Sequence, residues 1–83
     1  MDISQQCDVS YHLDGETHHG SMNIEKKTDD HGDMYRAVIE TSPLHGTYGG
    51  FADNVDLALD FLNLAMQAEG ADEIVFTCHK VEQ

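Results

Sequence analysis

Residues 53–70 read DNVDLALDFLNLAMQAEG, and this stretch decides the fold. Asp53 is a good N-cap, Asp56 suits the positive end of a first helical turn, and Gly70 is a natural stop. Wound at about 100° per residue, Asp56, Asp60, Asn63 and Gln67 fall on one narrow stripe. Val55, Leu57, Ala58, Leu59, Phe61, Leu62, Leu64, Ala65, Met66 and Ala68 fill the remainder. The apolar arc is about twice as wide as an amphipathic surface helix needs. Close packing on a sheet, with Ala58 and Ala65 mid-arc, is one reading of that width. The other places Leu57, Phe61 and Leu64 in a homodimer or partner interface.

Three strands precede this helix. Cys7, Val9, Tyr11 and Leu13 alternate with Asp8, Ser10 and His12, the period of a strand with one buried face. A turn over residues 14–20, with glycine at both ends, leads to a second strand carrying Met22, Ile24 and Lys26. A second turn over residues 28–33 leads to a third strand, marked by Tyr35, Ala37 and Ile39 and ending near Thr41. Residues 42–50 hold Pro43 and three glycines, which exclude a helix and leave room for a short edge strand around Thr47 and Tyr48. A connection of this length reads equally as a functional loop or as a plain crossover. After the helix, the apolar run over residues 74–81 reads as an interior strand.

The expected architecture is α+β: one small domain over residues 1–83, in the order strand-strand-strand-helix-strand. Its four-stranded sheet is mostly antiparallel, with one helix on one face and the first strand between the second and the last. A right-handed crossover through the helix would make the last strand parallel to the first. The first turn, the Pro/Gly loop and the helix N-terminus would then share one end of the sheet, with Asp14, Glu16, Asp53 and Asp56. The second turn and the helix C-terminus would share the other, with Asp29, Asp30, Asp33, Glu69, Asp72 and Glu73.

Charge is the strongest compositional signal. Sixteen acids against four bases give a net charge of −12, beyond the magnitude of about 2–8 that suits a small soluble domain. Such a field repels nucleic acid and anionic membranes and attracts basic surfaces. Solubility, adaptation to high salt and imitation of nucleic-acid phosphates all account for it. No run of about twenty apolar residues is present to cross a bilayer, and the N-terminal MDISQQCDVS lacks the basic and apolar regions of a secretory signal. A cytoplasmic protein is the simplest reading, in the host cell if the chain is phage-encoded. Cys7 and Cys78 both sit in alternating apolar patterns and read as buried free thiols.

Nothing supports catalysis. No P-loop, dinucleotide fingerprint or nucleophile elbow occurs, and pairing Cys7 or Cys78 with His12 or His79 is a drawing that any chain with six histidines allows. His18, His19 and His45 would lie near Asp14 and Glu16, but their spacing fits no zinc pattern and they read as surface histidines. No metal or other cofactor is expected.

In length, charge and lack of catalytic motifs the chain resembles the small acidic inhibitors carried by phages, such as anti-CRISPR and anti-restriction proteins. Its element order is also similar to that of HicB-type antitoxins, whose partner is a basic ribonuclease. These resemblances imply a binding protein that occupies the basic surface of a nucleic-acid-binding protein, without contacting nucleic acid or membrane itself. The residues expected to carry that contact are Asp29, Asp30 and Asp33 first, then Asp14, Glu16, Asp53 and Asp56. The alternative is a non-catalytic homodimeric module, its acidity serving solubility or salt adaptation.

Overall fold

Alternation extends the strands beyond their apolar residues. In the computed structural model, which describes residues 2–80 except the side chain at position 80, β1 spans Asp2–Leu13 and β2 spans Glu16–Asp29. Only Asp14 and Gly15 separate them, at φ 53° and 82°, the two positive values that a two-residue hairpin turn demands. The turn is thus shorter than the expected 14–20, and Gly20 lies inside β2. A Cβ on Gly20 would stand 2.1 Å from the Thr41 carbonyl oxygen and 2.7 Å from the Ser42 Cβ. This glycine serves the close passage of the chain leaving β3 (Gly32–Thr41).

The sheet order is β3-β2-β1-β4, with helix α1 (Val55–Ala68) inserted before β4 (Asp72–Lys80). The expected α+β order and strand arrangement are both present. Every neighbouring pair is antiparallel, however, including β1 with β4. This corrects the expected parallel last strand, and the reason lies in the Pro/Gly segment. After Thr41 the chain does not cross over at that end of the sheet. Gly46 N–H donates to Ile39 O at 2.8 Å and Ile39 N–H to Thr47 O at 3.0 Å. Tyr48 then bridges Val38, and Ala52 bridges Tyr35. Residues 47–52 therefore run back along the outer edge of β3, so the short edge contact expected near Tyr48 continues to Ala52. The helix consequently starts beside the beginning of β3 and points toward the Asp14-Gly15 turn. β4 has to run the opposite way to β1.

Asn54, not Asp53, caps the helix: its Oδ1 accepts the Leu57 N–H at 2.8 Å. Gly70 ends it as expected, at φ 97°. The Gly70 N–H donates to Gln67 O and the Ala71 N–H to Met66 O, both at 3.0 Å, the paired bonds of a Schellman stop.

The helix buries Ala58, Leu62 and Met66, and the last two pack in one core with Cys7, Val9 and Tyr11 of β1, Met22 and Ile24 of β2, and Ala37 and Ile39 of β3. Among the described residues no charged side chain is buried, and the Tyr11 hydroxyl is a buried polar group without a protein partner. Each large aliphatic side chain withdrawn here contributes about 1.5–3 kcal/mol. β4 is an edge strand rather than the expected interior one, and Val75 on its outer face is 58% exposed. A bulge near Glu73, at φ 49°, interrupts its pairing with β1. Val81, the end of the expected strand, lies outside the described residues.

Cys7 and Cys78 form a disulfide, which overturns the expectation of free thiols. They are direct register partners across β1 and β4, the adjacency a disulfide requires.

Candidate functional site

Reversing the helix and β4 regroups the acids. Tyr35 and Ala52 exchange backbone hydrogen bonds of 2.8 and 2.7 Å, so Asp53 and Asp56 stand at the β2–β3 end of the sheet. They join Asp29, Asp30 and Asp33 there, not Asp14 and Glu16 as expected. At the other end Asp72 pairs with His12, and Gly70 lies against Leu13. Glu69, Asp72 and Glu73 therefore accompany Asp14 and Glu16. The molecule is a slab with extents of 44 × 27 × 18 Å, and its two acidic ends face apart along the strands.

The end with Asp29, Asp30, Asp33, Asp53 and Asp56 is built on a tight turn. Asp29 Oδ1 accepts the His31 N–H at 2.8 Å, and the Thr28 hydroxyl donates to Asp33 Oδ1 at 2.7 Å. Lys26 Nζ stands 3.5 Å from Asp33 Oδ2. The Thr28 hydrogen bond holds the Asp33 carboxyl below its usual range, helped by the Lys26 charge and opposed by desolvation. Two of the three leading candidates, Asp29 and Asp33, therefore also shape the turn. Asp30, Asp53 and Asp56 make no side-chain bond or ion pair to the described residues, so their charges are free to act outward.

At the opposite end His12 Nδ1 meets Asp72 Oδ1 at 3.1 Å, and His18 Nε2 stands 3.9 Å from Glu16 Oε2. His31 stands exposed in the turn of the first end, and His12 and His18 beside the carboxylates of the second. Every described acid except Glu25 is exposed.

Glu25 belongs to a cluster that the sequence reading missed. Arg36 donates from Nε and Nη2 to Glu25 Oε1 at 3.1 and 2.8 Å. Its guanidinium also lies 4.8 Å from the Tyr48 ring centre and 4.7 Å from that of Phe51. Lys27 Nζ sits 4.3 Å from the same Phe51 ring. These cation–π contacts fasten the returning segment 47–52 to β2 and β3. Glu25 and Arg36 are register partners, so the alternation of β2 and β3 held a signal for the ion pair. The aromatic partners were hidden in the irregular loop.

Of the proposed interface residues on the helix, Leu57 is 37% and Leu64 63% exposed. Phe61 is half-buried beside the Gly49 backbone, so the returning segment covers part of the arc that the sequence left open. The histidines scatter. His18 faces the helix side, its ring centre 5.6 Å from that of Tyr11, while His19 is exposed. His45 bonds the Ser42 carbonyl, and His79 stands near Asp8. No three His, Cys, Asp or Glu among the described residues group as metal ligands.

The sheet face away from the helix carries two open hollows of about 500 and 470 Å³. Ser10, His19, Val75 and Thr77 line the first, Asn23, Glu40 and His79 the second, and Asp8 and Ser21 join both. The Ser21 hydroxyl is committed to Thr41 Oγ1 at 2.8 Å rather than to a histidine. No family model, curated protein or solved structure matches the chain.

Proposed function

We propose that this chain is a small acidic inhibitor or regulator that binds the basic surface of a nucleic-acid-binding enzyme or complex, and that it is not itself an enzyme. One observation carries the reading. The described cations are spent locally, Arg36 on Glu25, Lys26 on Asp33 and Lys27 on Phe51, while the carboxylates at both ends stay exposed. Two anionic ends on a slab 44 Å long present spaced negative charge to a cationic groove. Charge of this kind gives fast, salt-sensitive association. The end with Asp29, Asp30, Asp33, Asp53 and Asp56 is the primary contact, and Asp14 and Glu16 at the other end are auxiliary.

The proposal places the protein in the cytoplasm, where a disulfide is normally reduced. The contact surface accordingly excludes the Cys7–Cys78 pair, which lies within the sheet and away from both ends. No helix among the described residues is long and apolar enough to cross a membrane. The exposure of Leu57 and Leu64 favours a second reading, a homodimeric module joined through the helix.

The decisive experiment captures partners from lysate at low and moderate salt, then asks whether the captured protein releases its nucleic acid when this chain is added. Asp29→Asn, Asp30→Asn, Asp53→Asn and Asp56→Asn together keep the side-chain shapes and remove four charges. Under this reading they weaken capture and flatten its salt dependence. Capture that ignores both salt and these changes would reject it.

A further inference from the structure

The two edges of the sheet are treated differently. Residues 47–52 cover the outer edge of β3. β4 has only β1 as a neighbour among the described residues, so its other side offers a row of unpaired backbone groups. Such a row is a template for a further strand.

The groups that face outward can be assigned. Cys7 and Cys78 face each other with Cα atoms 4.0 Å apart, which marks the narrow, non-hydrogen-bonded type of antiparallel pair. Alternation then sends the N–H and C=O of Val75, Thr77 and His79 toward β1. Those of Ile74, Phe76 and Cys78 point away from the sheet.

We propose that this edge is a homodimer surface, on which β4 pairs antiparallel with β4 of a second copy about a two-fold axis at Phe76. The occupant follows from the strand's own sequence, Asp72-Glu-Ile-Val-Phe-Thr-Cys-His-Lys80, which is acidic at one end and basic at the other. Centring it on Phe76 brings the acidic start of one strand, at Asp72 and Glu73, alongside the far end of the other, at His79. Ile74 meets Cys78, and the exposed Val75 meets Thr77. The outward groups of Ile74, Phe76 and Cys78 come into register as hydrogen-bonded pairs. A two-fold centred on Val75 or Thr77 shortens the overlap of the two strands. The bulge at Glu73 breaks the row at its acidic end and keeps the contact short. The product is one eight-stranded sheet with both helices on the same face. This surface is separate from the primary acidic end at Asp29, Asp30, Asp33, Asp53 and Asp56 and differs from the Leu57/Phe61/Leu64 face.

Each copy carries −12, so long-range repulsion opposes association and salt screens it. The interface is small and its affinity modest. The test uses the full-length, oxidised chain at micromolar to millimolar concentration, in low and moderate salt. Sedimentation gives the mass, and amide exchange is followed residue by residue. At low concentration Val75, Thr77 and His79 exchange slowly, and Ile74, Phe76 and Cys78 exchange fast. The proposal requires the mass to double more readily in moderate salt, with the second set slowing in step. When about nine chains in ten are paired, exchange through the remaining monomer is about tenfold slower. A doubled mass with those amides still fast would overturn the proposal and assign association to another face. A monomer at millimolar concentration in moderate salt would also overturn it.

Discussion

Tyr35 and Ala52 exchange two backbone hydrogen bonds, of 2.8 and 2.7 Å, across 17 positions of chain. That reciprocal contact turns an irregular loop into a return path. It sets the direction of the helix, the direction of β4 and the grouping of the acids. The return is held at its middle by the passage of Gly49 over the helix.

Gly49 is therefore intolerant of a side chain. A Cβ there would lie 2.6 Å from Phe61 Cβ, 2.7 Å from its carbonyl carbon and 2.8 Å from Leu62 N. Two of these atoms are helix backbone and cannot swing aside. Gly49→Ala is expected to cost about 1–3 kcal/mol, read as a lower urea midpoint. Gly50→Ala, with no neighbour within 4 Å of the new Cβ, should leave the midpoint nearly unchanged. Equal effects at the two positions would contradict the close passage.

The Cys7–Cys78 bond links residues 71 apart in sequence. Closing so long a loop in the unfolded chain contributes about 4 kcal/mol on the chain-entropy account. Reduction should lower the melting temperature by well over ten degrees, since each kcal/mol moves a domain of this size by about 4–8 °C. A matched pair of melts with and without reductant tests this, and coincident curves would contradict the bond.

Asp33 should titrate below the ordinary aspartate value of 3.8. A carboxyl lowered in the folded state adds stability above its unfolded pKa and gives it up as pH falls through the folded value. For Asp33 that loss falls in acid, below the ordinary value. Because the group is exposed, the readout is its own titration by carbon NMR rather than a melt. Thr28→Val removes the main cause and should move the titration upward. An unchanged Asp33 curve in that variant would discount the hydroxyl.

Tyr11 is buried at 1% exposure, and its hydroxyl finds no protein partner. Removing an unpaired buried polar group costs little and often helps. Tyr11→Phe should fall within about 1 kcal/mol of the parent or above it, whereas Tyr11→Ala should lose about 3–5 kcal/mol like other buried aromatics. Chemical denaturation of both variants decides the point; a Tyr11→Phe protein as weak as Tyr11→Ala would mean the hydroxyl is bonded.

Much of this architecture was legible in residue order. The alternation of Cys7, Val9 and Tyr11, of Met22 and Ile24, and of Ala37 and Ile39 marked the buried face. The periodic run ending at Gly70 marked the helix, and the order β3-β2-β1-β4 followed from hairpins and one crossover. Strand direction was not legible, because it depended on whether residues 47–52 leave the sheet or fold back along it. Backbone pairing at an irregular edge leaves no periodic trace. From that one misreading came the assignment of Asp53 and Asp56 to the wrong end; the disulfide was missed separately, because the apolar alternation around Cys7 and Cys78 reads the same for free and bonded cysteines. The cap misassignment was separate, since Asp53 and Asn54 are adjacent and both favourable at that position. For the site, the acids and their exposure were plain from composition, whereas the local spending of Lys26, Lys27 and Arg36 needed the register.

The Cys7–Cys78 bond has a mechanical consequence. Both cysteines lie within a few residues of the ends of the described chain, on neighbouring strands. Tension applied to the two tails passes from β1 to β4 through the sulfurs and bypasses everything between them. The helix, the β2–β3 hairpin and the returning segment carry no load while the bond is intact. A pulling machine that grips one tail therefore meets a covalent ring that stretching cannot open, and reduction is what turns the domain into a thread.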